Sequence, residues 1–340
     1  MTFHMYVTIS DEDRVSIFTA DPDTGRIEHQ EDVAVRGRPA PLAVDPNLRF
    51  LYVGRRDDIG VTSFQIDWRT GGLSPIGEIP LESDPCYLAT DRKGKFLLSA
   101  YNSAGKVAVH PIGDDGAVSA QPVEWLDTAT GAHSMQTDPS NRFVFVPHIA
   151  DRGPNLIFQY KFDESSGRLT PNTPPRLSPE ANAGPRHYCF HPSKDILYFS
   201  NEQGCSVTAY GLNSSMGTLS AIQTVSTLPD DYNGTNTCAQ IQISPSGRFL
   251  YAPNRGHNTI AGFSVDSSTG ALRPIGHTPT EAVPRAFSLD SDGKFLYVAG
   301  LESGRLASYR IDGETGDLEP LETHTVGRGP MWVLLVRSDS

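Results

Sequence analysis

Short apolar segments recur down the whole chain, each opened by a charged residue and preceded by a polar turn. They read RFLYV at 49–53, KFLLS at 95–99, RFVFV at 142–146, DILYF at 195–199, RFLYA at 248–252 and KFLYV at 294–298. The turn before each carries an equivalent position at Asp45, Asp91, Asp138, His191, Ser244 and Asp290, with separations of 46, 47, 53, 53 and 46 residues. A period of about 50 marks stacked supersecondary units, none able to bury its apolar face alone.

The unit at 238–275 predicts the strands within a repeat. CAQIQIS alternates apolar and polar residues, SPSG is a tight turn and RFLYA is a second strand. NRGHN is a loop, TIAGFSV a third strand, DSSTG a turn with Gly270 placed for positive φ, and ALRPI opens a fourth strand. Four short antiparallel strands per unit, repeated radially, describe a propeller blade. The glycine ahead of the fourth strand recurs at Gly25, Gly72, Gly116, Gly167, Gly217, Gly270 and Gly316, which predicts seven blades. The last blade is split between the termini: MWVLLV at 331–336 supplies its inner strand, and the other three begin with HMYVTI at 4–9. Closing the ring this way removes the free edge of an open array. The prediction is an all-β, closed seven-bladed β-propeller with four antiparallel strands per blade, residues 1–340 forming one domain.

With strands named A to D from the axis outward, parity sorts the connections onto two faces. The A–B and C–D turns share one face and are short and structural. The B–C loops and D–A crossings share the other, and everything irregular falls there, which makes it the candidate site. That face pools Arg55, His133, His148, Arg186, His187, Glu202, Arg255 and Arg285.

Charge sharpens this picture. Against 28 Lys and Arg stand 40 Asp and Glu, a net charge of -12, which argues against nucleic acid or an anionic membrane as partner. A cationic ring around one opening in an acidic chain points instead to a small anionic ligand. The four cysteines, Cys86, Cys189, Cys205 and Cys238, lack CxxC spacing and read as reduced, and the N-terminus lacks a signal-peptide pattern, so a cytoplasmic protein is expected. No His/Asp/Glu set has the local spacing of a metal site, and there is no GxSxG, P-loop or dinucleotide fingerprint. Neither a metal nor a cofactor is expected.

Each candidate has a structural alternative. The Pro-Arg before an inner strand could set the crossing geometry, with Arg285 bracing a carboxylate as readily as a ligand. His4, His110, His191 and His277 read as packing residues. Glu202, directly after a strand and near cations from neighbouring blades, is an ion-pair partner or a general base, and the position favours the base.

The segments GAHSMQTDPSNRFVFV, NAGPRHYCFHP, FSNE, QISPSGRFLYAPNRG and GRGPMWV resemble the seven-bladed propeller lactonase family, which includes bacterial 6-phosphogluconolactonase and fungal 3-carboxy-cis,cis-muconate cyclase. The resemblance covers the whole chain. It implies a site of one His, two Arg and one Glu, falling on His133, Arg186, Arg255 and Glu202. One loop departs from many relatives: PHIADRGPN replaces an acidic segment, so His148 adds a second histidine.

The resemblance implies hydrolysis of a sugar-acid lactone, foremost 6-phosphoglucono-1,5-lactone. Glu202, with His133 assisting, would deprotonate water, while Arg186 and Arg255 would stabilise the oxyanion or hold an anionic end of the substrate. His148, His187, Arg285 and Arg55 would complete a binding surface. The alternatives are a lactonase for unphosphorylated or sulfonated aldonolactones, cycloisomerisation of a carboxylated muconate, and a non-catalytic interaction propeller.

Overall fold

In the computed structural model, which describes residues 2–338, second strands buried along their length and largely exposed outer strands collect into seven antiparallel sheets arranged as a ring. Blades 1 to 6 span residues 39–80, 87–127, 136–177, 185–226, 237–279 and 284–325, each running from the inner strand outward. Blade 7 closes the ring. Its inner strand, Pro330–Ser338, pairs antiparallel with Thr2–Ile9, and Arg14–Ala20 and Ile27–Ala34 follow outward. The only helix among the described residues is a 3-10 turn at Ser10–Glu12, and no helix is long and apolar enough to cross a membrane.

The repeated phrase has a physical explanation in the contacts between blades. In five blades the phenylalanine that opens the second strand packs under the glycine turn of the next blade. A Cβ on Gly116, Gly167, Gly217, Gly316 or Gly25 would meet Phe50, Phe96, Phe143, Phe249 or Phe295 respectively, all within 2.6 Å. Ile196 fills the same role under Gly270, and His4 does so under Gly71. These glycines have positive φ, so both close packing and backbone conformation exclude a side chain. In blade 1 the left-handed residue is Gly71 (φ 75), one position before the Gly72 expected from the sequence. The repeated Tyr completes the joint: the hydroxyls of Tyr6, Tyr198, Tyr251 and Tyr297 donate to the carbonyls of Gly71, Gly270, Gly316 and Gly25 at 2.8–3.1 Å.

The equivalent turn position is also structural. Asp91 is fully buried, and its Oδ1 accepts the amides of Lys95 and Phe96 at 2.7 and 2.9 Å. Asp138 and Asp290 repeat the arrangement. One inner strand differs from its expected form. In blade 5 the segment CAQIQIS breaks into Thr237–Cys238 and Gln242–Ile243. Gln240 and Gln242 turn their amide groups across to the backbone of Phe287 and Leu289 in blade 6, so side chains replace part of the ladder.

Candidate active site

The short turns lie on one face of the ring, and the B–C loops with the D–A crossings lie on the other. On that second face, the inner strands of blades 1, 4, 6 and 7 begin with a bulge, and those of blades 4 and 6 carry candidate residues. In blade 4, Pro185 pairs with Asn201 and Tyr188 with Phe199, so three steps of chain oppose two and Arg186 and His187 occupy the irregularity. In blade 6, Pro284 pairs with Gly300 and Ala286 with Ala299, which places Arg285 in the same situation. A bulge re-aims side chains that strict alternation would have turned between blades. Neighbouring hydroxyls brace the blade 4 bulge: Ser134 Oγ donates to the Arg186 carbonyl at 2.8 Å, and Ser200 Oγ donates to the His187 carbonyl at 3.3 Å.

Glu202 follows the second strand of blade 4, Ile196–Asn201, and its amide donates to the Gly184 carbonyl at 2.6 Å. Its carboxylate is held between two guanidinium groups. Arg186 Nε lies 2.6 Å from Oε2, and Arg255 Nη2, from the end of Phe249–Arg255 in blade 5, lies 2.9 Å from Oε1. Arg255 Nη2 also donates to the Cys238 carbonyl at 2.6 Å. The side chains of Arg186, Arg255 and Glu202 are 2%, 12% and 14% exposed, so this is a recess with restricted water access.

Electrostatics in the recess follow from burial and an excess of cations. Burial on its own would raise the Glu202 pKa, but Arg186 and Arg255 outweigh it and hold the carboxyl below its ordinary value. Burial lowers Arg186 to about 10, still charged at neutral pH. His133 is driven well below its ordinary value by burial first and then by Arg186, His187 and Arg285, which makes it a neutral imidazole. Its Nδ1 is buried without a hydrogen-bond partner among the described residues. His187 is neutral for the same reasons, and its ring lies 5.3 Å from that of His133. It also packs edge-on to Tyr87 at 5.0 Å and tilts toward Trp332 at 5.9 Å. The three aromatic groups line the top of an axial cavity of about 350 Å³ that six of the seven inner strands enclose. His187 therefore forms the floor of the recess.

Two sequence candidates lie elsewhere. Arg55 folds back along its own blade to Glu78 at 3.4 Å. The adjacent Arg56 has the opposite parity and reaches the mouth of the site, pairing with Asp84 at 2.8 Å. Side-chain alternation along the strand carried that distinction, but the irregular loop start hid it. His148 is fully buried in the packing between blades 2 and 3, with its ring 4.4 Å from Phe158 and its Nε2 3.0 Å from Thr128 Oγ1. Burial lowers its pKa to about 4. The structure thus gathers His133, Arg186, His187, Glu202, Arg255 and Arg285, and adds Arg56. Cys86 also borders the recess, its Sγ 3.4 Å from the Ala132 carbonyl, and burial pushes its thiol up to about 11.

Above the recess a cavity of about 740 Å³ opens to solvent between blades 6, 7 and 1, with Arg56 and Arg285 among its lining residues. Among the described residues, no group of His, Cys, Asp and Glu is placed to hold a metal ion. A buried carboxylate between two guanidinium groups, beside neutral imidazoles, can take up a proton and stabilise a developing oxyanion within one small volume.

Comparison with known proteins agrees in fold and in length. The family described as lactonase, 7-bladed beta-propeller, matches residues 4–335. The chain is 38% identical over 315 residues to a 6-phosphogluconolactonase of Pectobacterium carotovorum, covering 93% of each chain. It is 37% identical over 330 residues to a 6-phosphogluconolactonase of Yersinia pestis, covering 97% of this chain and 96% of that one. Among solved structures, a periplasmic gluconolactonase of Pseudomonas aeruginosa superposes with a TM-score of 0.91 at 24% identity, over the full length of both chains. A protein from Lactobacillus plantarum superposes with a TM-score of 0.88 at 25% identity, over 99% of this chain and 100% of the other.

Proposed function

The chain belongs to the seven-bladed β-propeller lactonase family, and we propose that it hydrolyses 6-phosphoglucono-1,5-lactone to 6-phosphogluconate. The observation that supports this reading is Glu202 held between Arg186 and Arg255 beside neutral His133, in a recess where three arginines face one carboxylate. That excess of positive charge suits a substrate that is anionic and becomes more so in the transition state.

The ester of a lactone is already activated, so oriented water, a proton acceptor and oxyanion stabilisation suffice. Water adds to C1, and its proton passes to Glu202 with His133 assisting. The carbonyl electrons move onto an oxyanion held by Arg186 and Arg255. When the C1–O5 bond breaks, O5 takes the proton back from Glu202, and the carboxylic acid so formed releases its remaining proton to solvent to give the carboxylate product. Glu202 is a weak base while both arginines pair with it. A substrate oxygen that draws one of them away raises its basicity as the oxyanion develops. No covalent intermediate is needed. We place the enzyme in the cytoplasm, a reading supported by four free cysteines.

The test is acid release, followed by pH-stat, on a panel of lactones with and without a 6-phosphate. Hydrolysis of the phosphorylated lactone well above its spontaneous rate is expected. No enzyme-dependent acid release from any lactone would overturn the reading, and consumption of a carboxymuconate without acid release would replace it.

A further inference from the structure

The mouth of the site is lined by four arginines, and three of them are neutralised. Arg38 pairs with Asp11 at 3.2 Å and Asp57 at 3.9 Å, Arg56 pairs with Asp84 at 2.8 Å, and Arg328 pairs with Glu12 at 3.7 Å. Arg285 is different. It makes no hydrogen bond or ion pair among the described residues, although its blade 6 bulge aims it at the boundary between the open cavity and the Glu202 recess. Ser10, only 1% exposed, lines the same cavity with its hydroxyl unpartnered.

We propose that Arg285, with Arg56 beside it, is the subsite for the substrate's phosphate and sets the preference for phosphorylated over unphosphorylated lactones. The inference rests on the lactonase reading and adds which end of the substrate lies where. The reacting carbonyl sits at Arg186, Glu202 and Arg255. The phosphate lies across the ring oxygen, several bonds away, at the mouth. The physical reason is charge. Burial and repulsion from Arg186, Arg255 and Arg56 disfavour the Arg285 cation. Glu202, already paired with Arg186 and Arg255, offsets only part of this, yet a guanidinium does not give up its proton in a protein. A dianion delivered by the substrate relieves that repulsion, and the planar fork suits phosphate bidentately. The other cations of the mouth already have carboxylate partners, so the uncompensated one selects the ligand. A residue kept charged and unpaired in the free protein also lowers its stability, the pattern of a binding site rather than of a structural brace.

Arg285→Gln is expected to lower kcat/KM for 6-phosphoglucono-1,5-lactone by roughly 10²-fold, mainly through KM, and that for glucono-1,5-lactone by less than a few-fold. The ligand-free variant should melt above the wild type, because a repelled cation has been removed. Inorganic phosphate should raise the melting temperature of the wild type but not of the variant. Equal losses on both lactones, or a lower melting temperature for the free variant, would overturn the proposal while leaving the lactonase reading intact. Phosphate protection that depends on Arg285, in a wild type inactive on every lactone, would keep the anion subsite and remove the lactonase reading. Phosphate that protects both proteins equally would show that the anion binds elsewhere.

Discussion

Replacing Glu202 with Gln keeps the shape of the recess and removes the carboxylate that faces Arg186, Arg255 and Arg285. Two close pairs are lost, at 2.6 and 2.9 Å, and Arg186, 2% exposed, is left as a charge with neither water nor counter-ion. Breaking a buried pair by removing one partner costs about 3–5 kcal/mol, a large part of the 5–15 kcal/mol typical of a folded protein. For 340 residues the unfolding entropy is about 0.7 kcal/mol/K, so the melting temperature should fall by about 4–7 °C. The sign of the pH dependence follows from the direction of the shift. Glu202 is held below its ordinary value of 4.5, so its stabilisation is present above that pH and is lost as pH falls through the folded-state value. The gap in melting temperature between wild type and variant should therefore be full at neutral pH and close below pH 4.5. Turnover on the phosphorylated lactone should fall by about 10²–10⁴ with little change in KM. Scanning fluorimetry across pH, paired with pH-stat kinetics, measures both effects. A variant with wild-type turnover would move the proton acceptor to another group, His133 first. A melting temperature unchanged at neutral pH would show that the arginines do not depend on this carboxylate.

Two further outcomes follow from the site and the ring. Arg255→Lys keeps the charge but shortens the side chain and removes the planar guanidinium whose Nη2 reaches both Glu202 and the Cys238 carbonyl. It should reduce kcat by about 10- to 10²-fold on phosphorylated and unphosphorylated lactones alike, whereas a loss confined to the phosphorylated one would assign the phosphate to Arg255. Deleting residues 330–340 removes the inner strand of blade 7, with its register from Ile9↔Pro330 to Thr2↔Ser338 and the buried Met331, Val333 and Val336. The single cooperative melting transition should be lost, and a truncated protein that melts like the full chain would refute the closure of the ring.

The amino-acid sequence by itself determined the architecture, because the repeat encodes local chemistry that every blade needs. A Phe opening the second strand packs under the next blade's turn glycine in five joints, with Ile196 and His4 in the other two. A Tyr hydroxyl bonds that glycine in four, and seven glycine turns at a steady spacing count seven blades. Two details escaped: the position of Gly71, since either of two adjacent glycines satisfies the pattern, and the break in the inner strand of blade 5, where Gln240 and Gln242 bond across to blade 6. Strand parity also placed Arg186, Glu202 and Arg255 on one face, because alternation and connection order are properties of the chain. Tertiary structure decided what each side chain on that face meets. Alternation separates Arg55 from Arg56, but where the strand gives way to the loop is not legible in the sequence, and in the structure one folds back to Glu78 while the other reaches the mouth. His148 lies on the correct face in sequence but turns into the packing between blades 2 and 3. Arg285 reads equally well as a brace or a ligand until its neighbours are known, and its lack of a carboxylate partner is a fact about the mouth as a whole. Bulges and contacts between blades set those directions, and both depend on residues from other repeats, some of them far away along the chain.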